Sequence, residues 1–369
     1  MYTEGLAKIY NVKGAFLNPL GRVSRDISTA YVNFIANSDS KILDATAATG
    51  IRAIRYYKES NSRNICAIEM NRVAYLDLVK NLKRNKITKG IELKNIDLQR
   101  FANSGENLRF DIIDLDPFGG ITPYIYDLMK ISHDSTRLMV TATDTAVLCG
   151  AHKKACLRLY NSKPIHNNLC HEASVRIMIN YILRNAAQFN MGIDVELAIV
   201  HMHYIRVFLK LRHGAQRAMD SISSSGYLHN CSFCGYWEIE KDYLPSQIEC
   251  AKCARPMNSY GPMWLGSMKD ANLISNLAEK LSGDNFASES RSIISIVNGE
   301  LDTPFYYHIP EITKRLKFGS ISPNRLASFL TDELGLKSTQ ASMYKSSIKT
   351  LGSYDDVLYA AKECIKNKN

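Results

Sequence analysis

The sequence predicts an α/β fold in which a mainly parallel sheet carries helices on both faces. Short apolar runs alternate with amphipathic segments from residue 41 to residue 144. This alternation is typical of parallel strands joined by helical crossovers. Two further apolar runs, residues 195–200 and 205–211, predict a hairpin that completes the sheet. The length of 369 residues is enough for two or three domains.

The predicted elements follow one another in a regular order along the first half of the chain. The predicted strands are residues 41–45, 65–68, 91–93, 110–115 and 138–140. The predicted helices are residues 51–57, 72–84, 121–131 and 170–189. The second of these helices has apolar residues at positions 73, 76, 79 and 82, which is the spacing of one helical face.

Two changes in composition divide the rest of the chain. Serine-rich residues 221–226 predict a linker, and from about residue 268 the pattern becomes helical and basic. We therefore expect three parts, residues 1–220, 221–267 and 268–369. The third part is expected to be a smaller, mainly helical α+β C-terminal domain.

The charge and the termini limit the classes of protein that fit. The formal net charge is +10, which suits a nucleic-acid partner, although a merely basic enzyme fits equally well. The first eight residues lack the pattern of a secretory signal, and no apolar run is long enough to span a membrane. Five of the nine cysteines are scattered, as expected in a reducing compartment. We expect a soluble, cytoplasmic protein with no obligate protein partner.

The end of the first predicted strand carries an acid and a run of small residues. Ligands bind parallel sheets at the carboxyl ends of the strands. Asp44 ends this strand, and small residues through Thr49 and Gly50 lead into the next helix. The loop has one glycine and no dinucleotide fingerprint, and the charge of Asp44 suits a cationic, amino-acid-like cofactor. An ordinary small-residue turn remains an equal alternative.

Two more acids stand at the ends of the next two strands. Glu69, 19 residues after Gly50, can accept hydrogen bonds from both ribose hydroxyls of an adenosine. Asp97 follows the third strand and is placed to meet an adenine amino group. Each acid alone is more often a solvated loop residue. Together, three acids at three successive strand ends predict a pocket for S-adenosylmethionine.

The end of the fourth strand is the most specific feature of the sequence. It reads Asp114-Leu115-Asp116-Pro117-Phe118-Gly119-Gly120. The Asp116 carboxylate and the Pro117 carbonyl can accept the two hydrogens of an exocyclic amine and so aim its lone pair at a methyl donor. Phe118 can stack on a base that is flipped out of its helix. A plain strand-ending turn is the alternative, because Asp-Pro and Gly-Gly are common turn pairs.

These residues are similar to those of class I (Rossmann-like) methyltransferases that act on amino nitrogens. More narrowly, the chain resembles the tRNA (guanine-26-N2)-dimethyltransferase family. The matching segments span about seven-tenths of the chain and are residues 16–19, 24–26, 44–52, 114–119, 141–144, 148–152 and 260–266. Gly120 departs from the serine that is frequent in the family, and we expect little effect.

The resemblance implies methyl transfer from S-adenosylmethionine to N2 of guanine 26 in tRNA, giving dimethylguanosine. It implies that Asp116 is the catalytic carboxylate and that Phe118 and Phe16 stack on the guanine. Arg52 could contact the cofactor carboxylate or equally be a helix surface residue. The predicted cofactor-binding residues are Arg25, Asp44, Thr49, Gly50, Arg52, Glu69, Asp97 and Asp114.

Four cysteines form two C-x-x-C pairs in the second part of the chain. Cys231 and Cys234 are separated by fifteen residues from Cys250 and Cys253, the spacing of a four-thiolate zinc ribbon. We therefore predict a structural zinc in residues 221–267, with a degraded site as the alternative. A closed site of four cysteines has no open position, so we assign it no catalysis.

Several alternatives remain open from the sequence. His201 and His203 alternate on a predicted strand and could be ligands or structural residues. The lysines from residue 337 to residue 368 could follow an RNA backbone, as expected of a C-terminal RNA-binding domain, or cover a solvated helix pair. Two functions compete with the tRNA enzyme: an amino-methyltransferase on another RNA or DNA base, and a catalytically silent RNA-binding protein.

Overall fold

A seven-stranded sheet lies at the centre of the structure, a computed structural model that describes residues 1–10, 15–105, 108–317 and 319–366. An N-terminal hairpin precedes it, formed by β1 (Tyr2–Glu4) and β2 (Ala7–Ile9). The sheet strands are β3 (Lys41–Asp44), β4 (Asn64–Ile68), β5 (Ile91–Lys94), β6 (Ile112–Leu115), β7 (Arg137–Ala142), β8 (Met191–His201) and β9 (Tyr204–His213). The helices are α1 (Arg22–Ile35), α2 (Ile51–Glu59), α3 (Arg72–Arg84), α4 (Leu98–Ala102), α5 (Ile125–Lys130), α6 (Thr145–Leu148), α7 (Lys153–Tyr160) and α8 (Cys170–Ala187).

The strand order of the sheet is β5-β4-β3-β6-β7-β9-β8. Strands β3 to β7 pair in parallel, and β9 is antiparallel to both of its neighbours. The order reverses between β3 and β6, which is where an open α/β sheet forms its ligand crevice. Asp44 and Asp114 pair in register across this switch point. The predicted α/β fold class is confirmed.

Successive residues of the strands serve two separate hydrophobic layers, because side chains alternate between the faces of a sheet. Ile42 and Ile112 belong to the layer under α1 and α2, whereas Leu43 and Ile113 belong to the layer under α5 and α8. Both layers are almost fully buried, so these strands are apolar on both faces, as expected of a parallel sheet covered by helices.

Two predicted segments differ clearly from the structure. The predicted helix over 121–131 begins only at Ile125, because a turn closed by the Tyr124 amide on the Ile121 carbonyl (3.0 Å) comes first. The serine-rich linker prediction is wrong: α9 (Ala215–Ile222) occupies its beginning, and β10 (Ser225–Asn230) starts before its end. Ser225 donates to the Asn180 side chain of α8 (2.7 Å), so this serine joins β10 to α8.

A second, three-stranded sheet carries the cysteine pairs. Its strands are β10, β11 (Trp237–Glu240) and β12 (Asn258–Trp264), in the order β11-β10-β12. Leu228 and Met263 are fully buried in the same layer as α8. Arg176 of α8 donates to the Trp264 carbonyl (3.0 Å). The small sheet is therefore packed firmly against the central domain.

The last hundred residues form helices and a small sheet. The elements are α10 (Ala271–Lys280), α11 (Ser288–Gly299), β13 (Tyr307–His308), α12 (Ile309–Leu316), α13 (Pro323–Ser328), β14 (Ser338–Gln340), β15 (Ser347–Thr350) and α14 (Tyr354–Lys366). A π-helical turn follows α13. The strands pair in the order β13-β15-β14, and the region from residue 309 has its own hydrophobic core. This is the predicted mainly helical α+β region.

Residues 271–299 pack on the first part of the chain and share its core. Leu273 and Ile294 are buried in the same layer as α1. The Asp26 carboxylate of α1 accepts from the Ala287 amide (2.8 Å) and the Ser290 hydroxyl (3.0 Å). The proposed boundary at residue 268 therefore marks a change of composition, and the packing is continuous across it.

Some of the C-terminal lysines and both candidate histidines have structural surroundings. Lys349 is 3% exposed and lies 3.3 Å from Glu172 and 3.6 Å from Glu300. His201 ends β8 with its ring against Tyr204, while His203 lies in the following turn. The expectation that both histidines lie on one strand is therefore wrong, and they do not share a strand face. No helix within the described ranges is long and apolar enough to cross a membrane.

Candidate active site

The carboxyl ends of β3 and β4 bring Asp44 and Glu69 to either side of the small-residue loop. The Ala53 amide of α2 donates to Asp44 Oδ2 (3.2 Å). Asp44 Oδ1 is buried, and no hydrogen-bond partner for it occurs among the described residues. Glu69 accepts from the Ala48 amide (2.9 Å) and the Asn71 amide (2.7 Å), so it fixes the loop while remaining partly exposed.

Gly50 closes the loop and is the N-cap residue of α2. Its φ of +80° is a left-handed conformation, and an added Cβ would approach Leu78 to 3.0 Å. Thr49 is buried, and its carbonyl accepts from the Asn81 side chain of α3 (3.0 Å). Asp97 caps α4 through the Arg100 amide (2.9 Å), with its side chain 32% exposed. The cofactor contacts expected of Thr49, Gly50 and Asp97 stay predictions.

A buried ion network joins the end of β6 to α2. Arg52 donates to Asp116 Oδ2 from Nε (3.0 Å) and Nη2 (2.6 Å). Its Nη1 lies 3.4 Å from Asp114 Oδ2. Because Arg52 is only 6% exposed, the alternative that it is a helix surface residue is wrong. In this structure its guanidinium holds the predicted catalytic carboxylate.

Arg206 on β9, which was absent from the predicted site residues, completes the network. It donates to Asp114 Oδ1 (2.8 Å), the Thr141 hydroxyl (2.8 Å) and the Ser28 hydroxyl (2.8 Å). The Tyr56 hydroxyl donates to the other oxygen of Asp114. The signal available in the sequence is an arginine that stands between apolar residues, Ile205 and Val207, in the apolar first half of the strand. Asp114 is fully buried among these donors, and its contact with a cofactor stays a prediction.

Asp44 and Asp116, two of the carboxylates at this edge, have different proton affinities. Burial and the neighbouring Asp114 raise the pKa of Asp44 to about 7. Burial also raises the pKa of Asp116, but Arg52 and Arg206 outweigh that effect, and its pKa lies below the usual range. Asp116 is therefore an ionised acceptor at neutral pH, while Asp44 keeps its proton more readily than an ordinary aspartate.

The loop after β6 holds Phe118 out in solvent. The Asp116 amide donates to the Thr46 hydroxyl (3.0 Å), and the Gly119 amide donates to the Thr143 hydroxyl (2.8 Å). Phe118 is 96% exposed. An added Cβ at Gly120 would meet an Asp144 oxygen at 2.7 Å, so the serine frequent in the family would require Asp144 to move.

Phe16 lies in the segment just before α1 and is 73% exposed. Arg25 supports this segment by donating to the Asn18 carbonyl (3.0 Å). The Nε and Nη2 groups of Arg25 donate to the Glu4 carboxylate (2.6–3.0 Å). The structure therefore gives Arg25 a role in fixing the N-terminal segment, and its predicted cofactor contact stays a prediction.

The four ribbon cysteines meet at one end of the three-stranded sheet. Their sulfur atoms all lie within 4.8 Å of one another. The Cys231–Cys253 and Cys234–Cys250 sulfurs are 3.6 Å and 3.3 Å apart. Zn–S bonds of about 2.3 Å place the sulfurs of a tetrahedral site roughly 3.8 Å apart, so the cluster fits a structural zinc.

Comparisons with known proteins agree with this geometry. The family model for N2,N2-dimethylguanosine tRNA methyltransferase matches residues 2–362. The tRNA (guanine(26)-N(2))-dimethyltransferases of Pyrococcus horikoshii and Pyrococcus furiosus are 32% and 33% identical to this chain, and each match covers 95% of both proteins. The chain belongs to the N2,N2-dimethylguanosine tRNA methyltransferase family.

A solved structure of a family member gives the same fold. The structure of Trm1 from Pyrococcus horikoshii in complex with S-adenosyl-L-methionine matches with a TM-score of 0.90 and 31% identity. The match covers 97% of this chain and 98% of that one. The predicted family and the Rossmann-like methyltransferase fold are therefore confirmed. Asp44 Oδ1, a buried acceptor without a partner among the described residues, fits the ammonium group of such a cofactor.

We predict that cofactor affinity depends on the ionisation of Asp44. The neutral carboxyl, whose share grows as the pH falls through about 7, attracts the ammonium group less strongly than the carboxylate does. The affinity for S-adenosylhomocysteine, which keeps that ammonium group, should rise about tenfold between about pH 5.5 and about pH 8.5. Calorimetric titration at each pH measures this affinity. The Asp44→Asn variant should bind weakly with a flat profile, and an equally flat wild-type profile would contradict the assignment.

We predict one tightly bound zinc per chain, held by Cys231, Cys234, Cys250 and Cys253. Elemental analysis of protein purified without chelator should give a ratio of zinc to chain near one. Chelation should lower the melting temperature, because Tyr354 and Arg315 dock on the carbonyls of this loop (2.6 and 2.8 Å). The Cys231→Ser variant should lose the metal, whereas Cys364→Ala, outside the cluster, should keep it. Folded wild-type protein without zinc would refute the site.

Proposed function

We propose that this protein transfers methyl groups from S-adenosylmethionine to the exocyclic N2 of guanine 26 in tRNA and produces dimethylguanosine. The observation that carries the proposal is the ionised Asp116, fixed by Arg52 at a sheet edge of the family's fold. The names of the relatives and the complex of one member with S-adenosyl-L-methionine support the substrate and the cofactor. We place this activity in the cytoplasm.

The residues at the end of β6 supply acceptors for the amine. Both Arg52 contacts go to Asp116 Oδ2, so Oδ1 is free of the guanidinium. No hydrogen bond to the Pro117 carbonyl occurs among the described residues. These two acceptors can take the two N–H groups of guanine N2 and turn its lone pair out of conjugation toward the donor. After one transfer, the remaining N–H still has an acceptor, so the site can hold the monomethylated base for a second transfer.

Bound S-adenosylmethionine supplies the methyl group, which leaves its sulfonium sulfur as the new bond to nitrogen forms. Asp44 would hold the ammonium of the cofactor, and Glu69 and Asp97 would hold the adenosine. Asp116 lies where it can accept the proton that the nitrogen releases.

Two exposed phenylalanines suit a flipped base. Removing a nucleotide from its stack costs a few kcal/mol. Stacking on an aromatic ring returns roughly 1–3 kcal/mol per base. Phe118 stands on a loop that two threonines fix, and Phe16 stands on a segment that Arg25 supports. We propose that the two rings enclose the guanine.

Two alternatives are less well supported. A silent RNA-binding protein would not need an ionised Asp116 beside a free Pro117 carbonyl. An amino-methyltransferase for another base would share the site, but the family match over residues 2–362 favours tRNA guanine. The net charge of +10 also suits a tRNA partner, and we propose that residues 268–369 add RNA contacts.

Incubation with labelled S-adenosylmethionine and unmodified tRNA, followed by nucleoside analysis, tests the function. We expect labelled N2-methylguanosine and N2,N2-dimethylguanosine. A tRNA with adenine at position 26 is the control and should remain unlabelled there. Label on another base alone would overturn the proposed substrate.

We predict that Asp116→Asn lowers the rate of methyl transfer at least a hundredfold, because an amide is a poorer acceptor and its NH₂ group can face the amine. Cofactor affinity, measured calorimetrically, should change little. The isosteric asparagine limits the effect on Arg52, and a melting curve of the same preparation controls for folding. Near-normal turnover in this variant would exclude the assigned role.

We predict that Phe16→Ala slows single-turnover methyl transfer at least tenfold with little change in melting temperature. Phe16 is mostly exposed, so its removal leaves no cavity. Phe118→Ala should behave in the same way. Exposed Met219, on α9, provides the matched control, and Met219→Ala should alter neither quantity. A destabilised but fully active Phe16 variant would instead indicate an anchoring role.

A further inference from the structure

A concave, basic surface lies between the first turn of α7 and the loop before α8. It is an open concavity of about 890 Å³. Its lining includes His152, Lys153, Lys154, Ala155, Arg158 and His166. None of the described residues that line it is acidic. We refer to this surface as the α7 concavity.

The three permanent cations of the α7 concavity are free to meet an external anion. Lys153, Lys154 and Arg158 are all exposed. Within the part of the chain that the structure describes, their side chains form no ion pair or hydrogen bond. By contrast, Arg52 and Arg206 are buried and neutralised by carboxylates. A cluster of unpaired cations in a concave surface favours binding of a polyanion.

The walls of the α7 concavity are held in place by backbone contacts. The His166 ring is hydrogen bonded to the Cys149 carbonyl (2.9 Å). Gly150 has a φ of +85°, and an added Cβ there would meet the Ile165 carbonyl at 2.8 Å. The backbone of Lys163 exchanges hydrogen bonds with Gly261 of β12 (2.8 and 2.9 Å). The surface therefore belongs to the rigid frame of the protein.

The same helix is connected directly to the loop that carries Phe118. Tyr160, the last residue of α7, donates to the Asp144 carboxylate (2.8 Å to the nearer oxygen). Asp144 in turn lies against Gly120 of that loop. A helix of this length extends about 12 Å, so the cations of α7 lie within a few nucleotides of the base site.

We propose that the α7 concavity binds phosphates of the tRNA nucleotides next to the flipped guanosine. This inference rests on the proposed function and names the surface by which the substrate is held. The contacts are with the phosphate backbone of the RNA, so they carry no information about its base sequence. They instead set the position of the RNA strand over Phe118. Removal of these cations should therefore weaken tRNA binding and leave the chemical step intact.

The test compares two double variants that remove equal charge. Lys153→Ala with Lys154→Ala alters the α7 concavity. Lys83→Ala with Lys89→Ala alters two exposed lysines near the amino end of β5, away from the carboxyl ends of the strands that carry the site. Filter binding of unmodified tRNA at several salt concentrations, together with steady-state kinetics, gives Kd, its salt dependence, KM and kcat.

We expect the α7 variant to raise Kd and KM for tRNA about tenfold, with kcat and affinity for S-adenosylhomocysteine unchanged. The slope of log Kd against log salt should fall by about one for each phosphate that the variant no longer binds. Adding Arg158→Ala should extend both effects. The control variant should resemble wild type.

Equal tRNA affinity and salt slope in the two double variants would overturn the inference, as would a fall in kcat with unchanged KM. Failure of the proposed function has a different signature. In that case wild-type protein would leave tRNA guanine unmethylated, while the binding comparison would still report on the surface.

Discussion

Two arginines that lie far apart in the sequence, Arg52 and Arg206, share the carboxylates at the end of β6. Burying an ion costs several kcal/mol unless a partner of opposite charge is close, so each guanidinium requires these acids in place. The same two guanidinium groups also donate to the hydroxyls of Ser24 and Ser28 in α1. Helices α1 and α2 and strands β6 and β9 are thereby tied to one point. The position of Asp116 follows from this network.

The network also gives two aspartates, Asp116 and Asp44, different chemical roles. Asp116 faces two guanidinium groups and stays ionised, whereas Asp44 lies beside Asp114 and keeps its proton more readily. A neutral or weakly charged Asp44 limits the repulsion among three neighbouring carboxylates in the protein without ligand. Its ionisation then becomes favourable when a cation arrives, which couples cofactor binding to the charge balance of the sheet edge.

Much of this could be predicted from the sequence because the signals are local. Strands, most helices, the cysteine pairs and the loop after β6 each depend on neighbouring residues. The role of Arg206 could not, since its partner Asp114 is 92 positions away. The burial of Arg52 could not be predicted either, because its position in a helix does not show which residues pack against that face. The serine-rich segment was misassigned because Asn180, the partner of Ser225, comes from a distant helix.

Within the described residues, Lys349 is the only cationic residue of β15. Its side chain lies in the interior between Glu172 of α8 and Glu300. Glu172 also binds Arg176, which reaches the end of β12. Removal of the C-terminal sheet would therefore strip a counter-ion from the helix that supports the main domain. The C-terminal part is consequently not an interchangeable module. A lineage that altered the exterior of this region would have to preserve this charge, so substitutions should accumulate on the exterior while β15 and α8 change together.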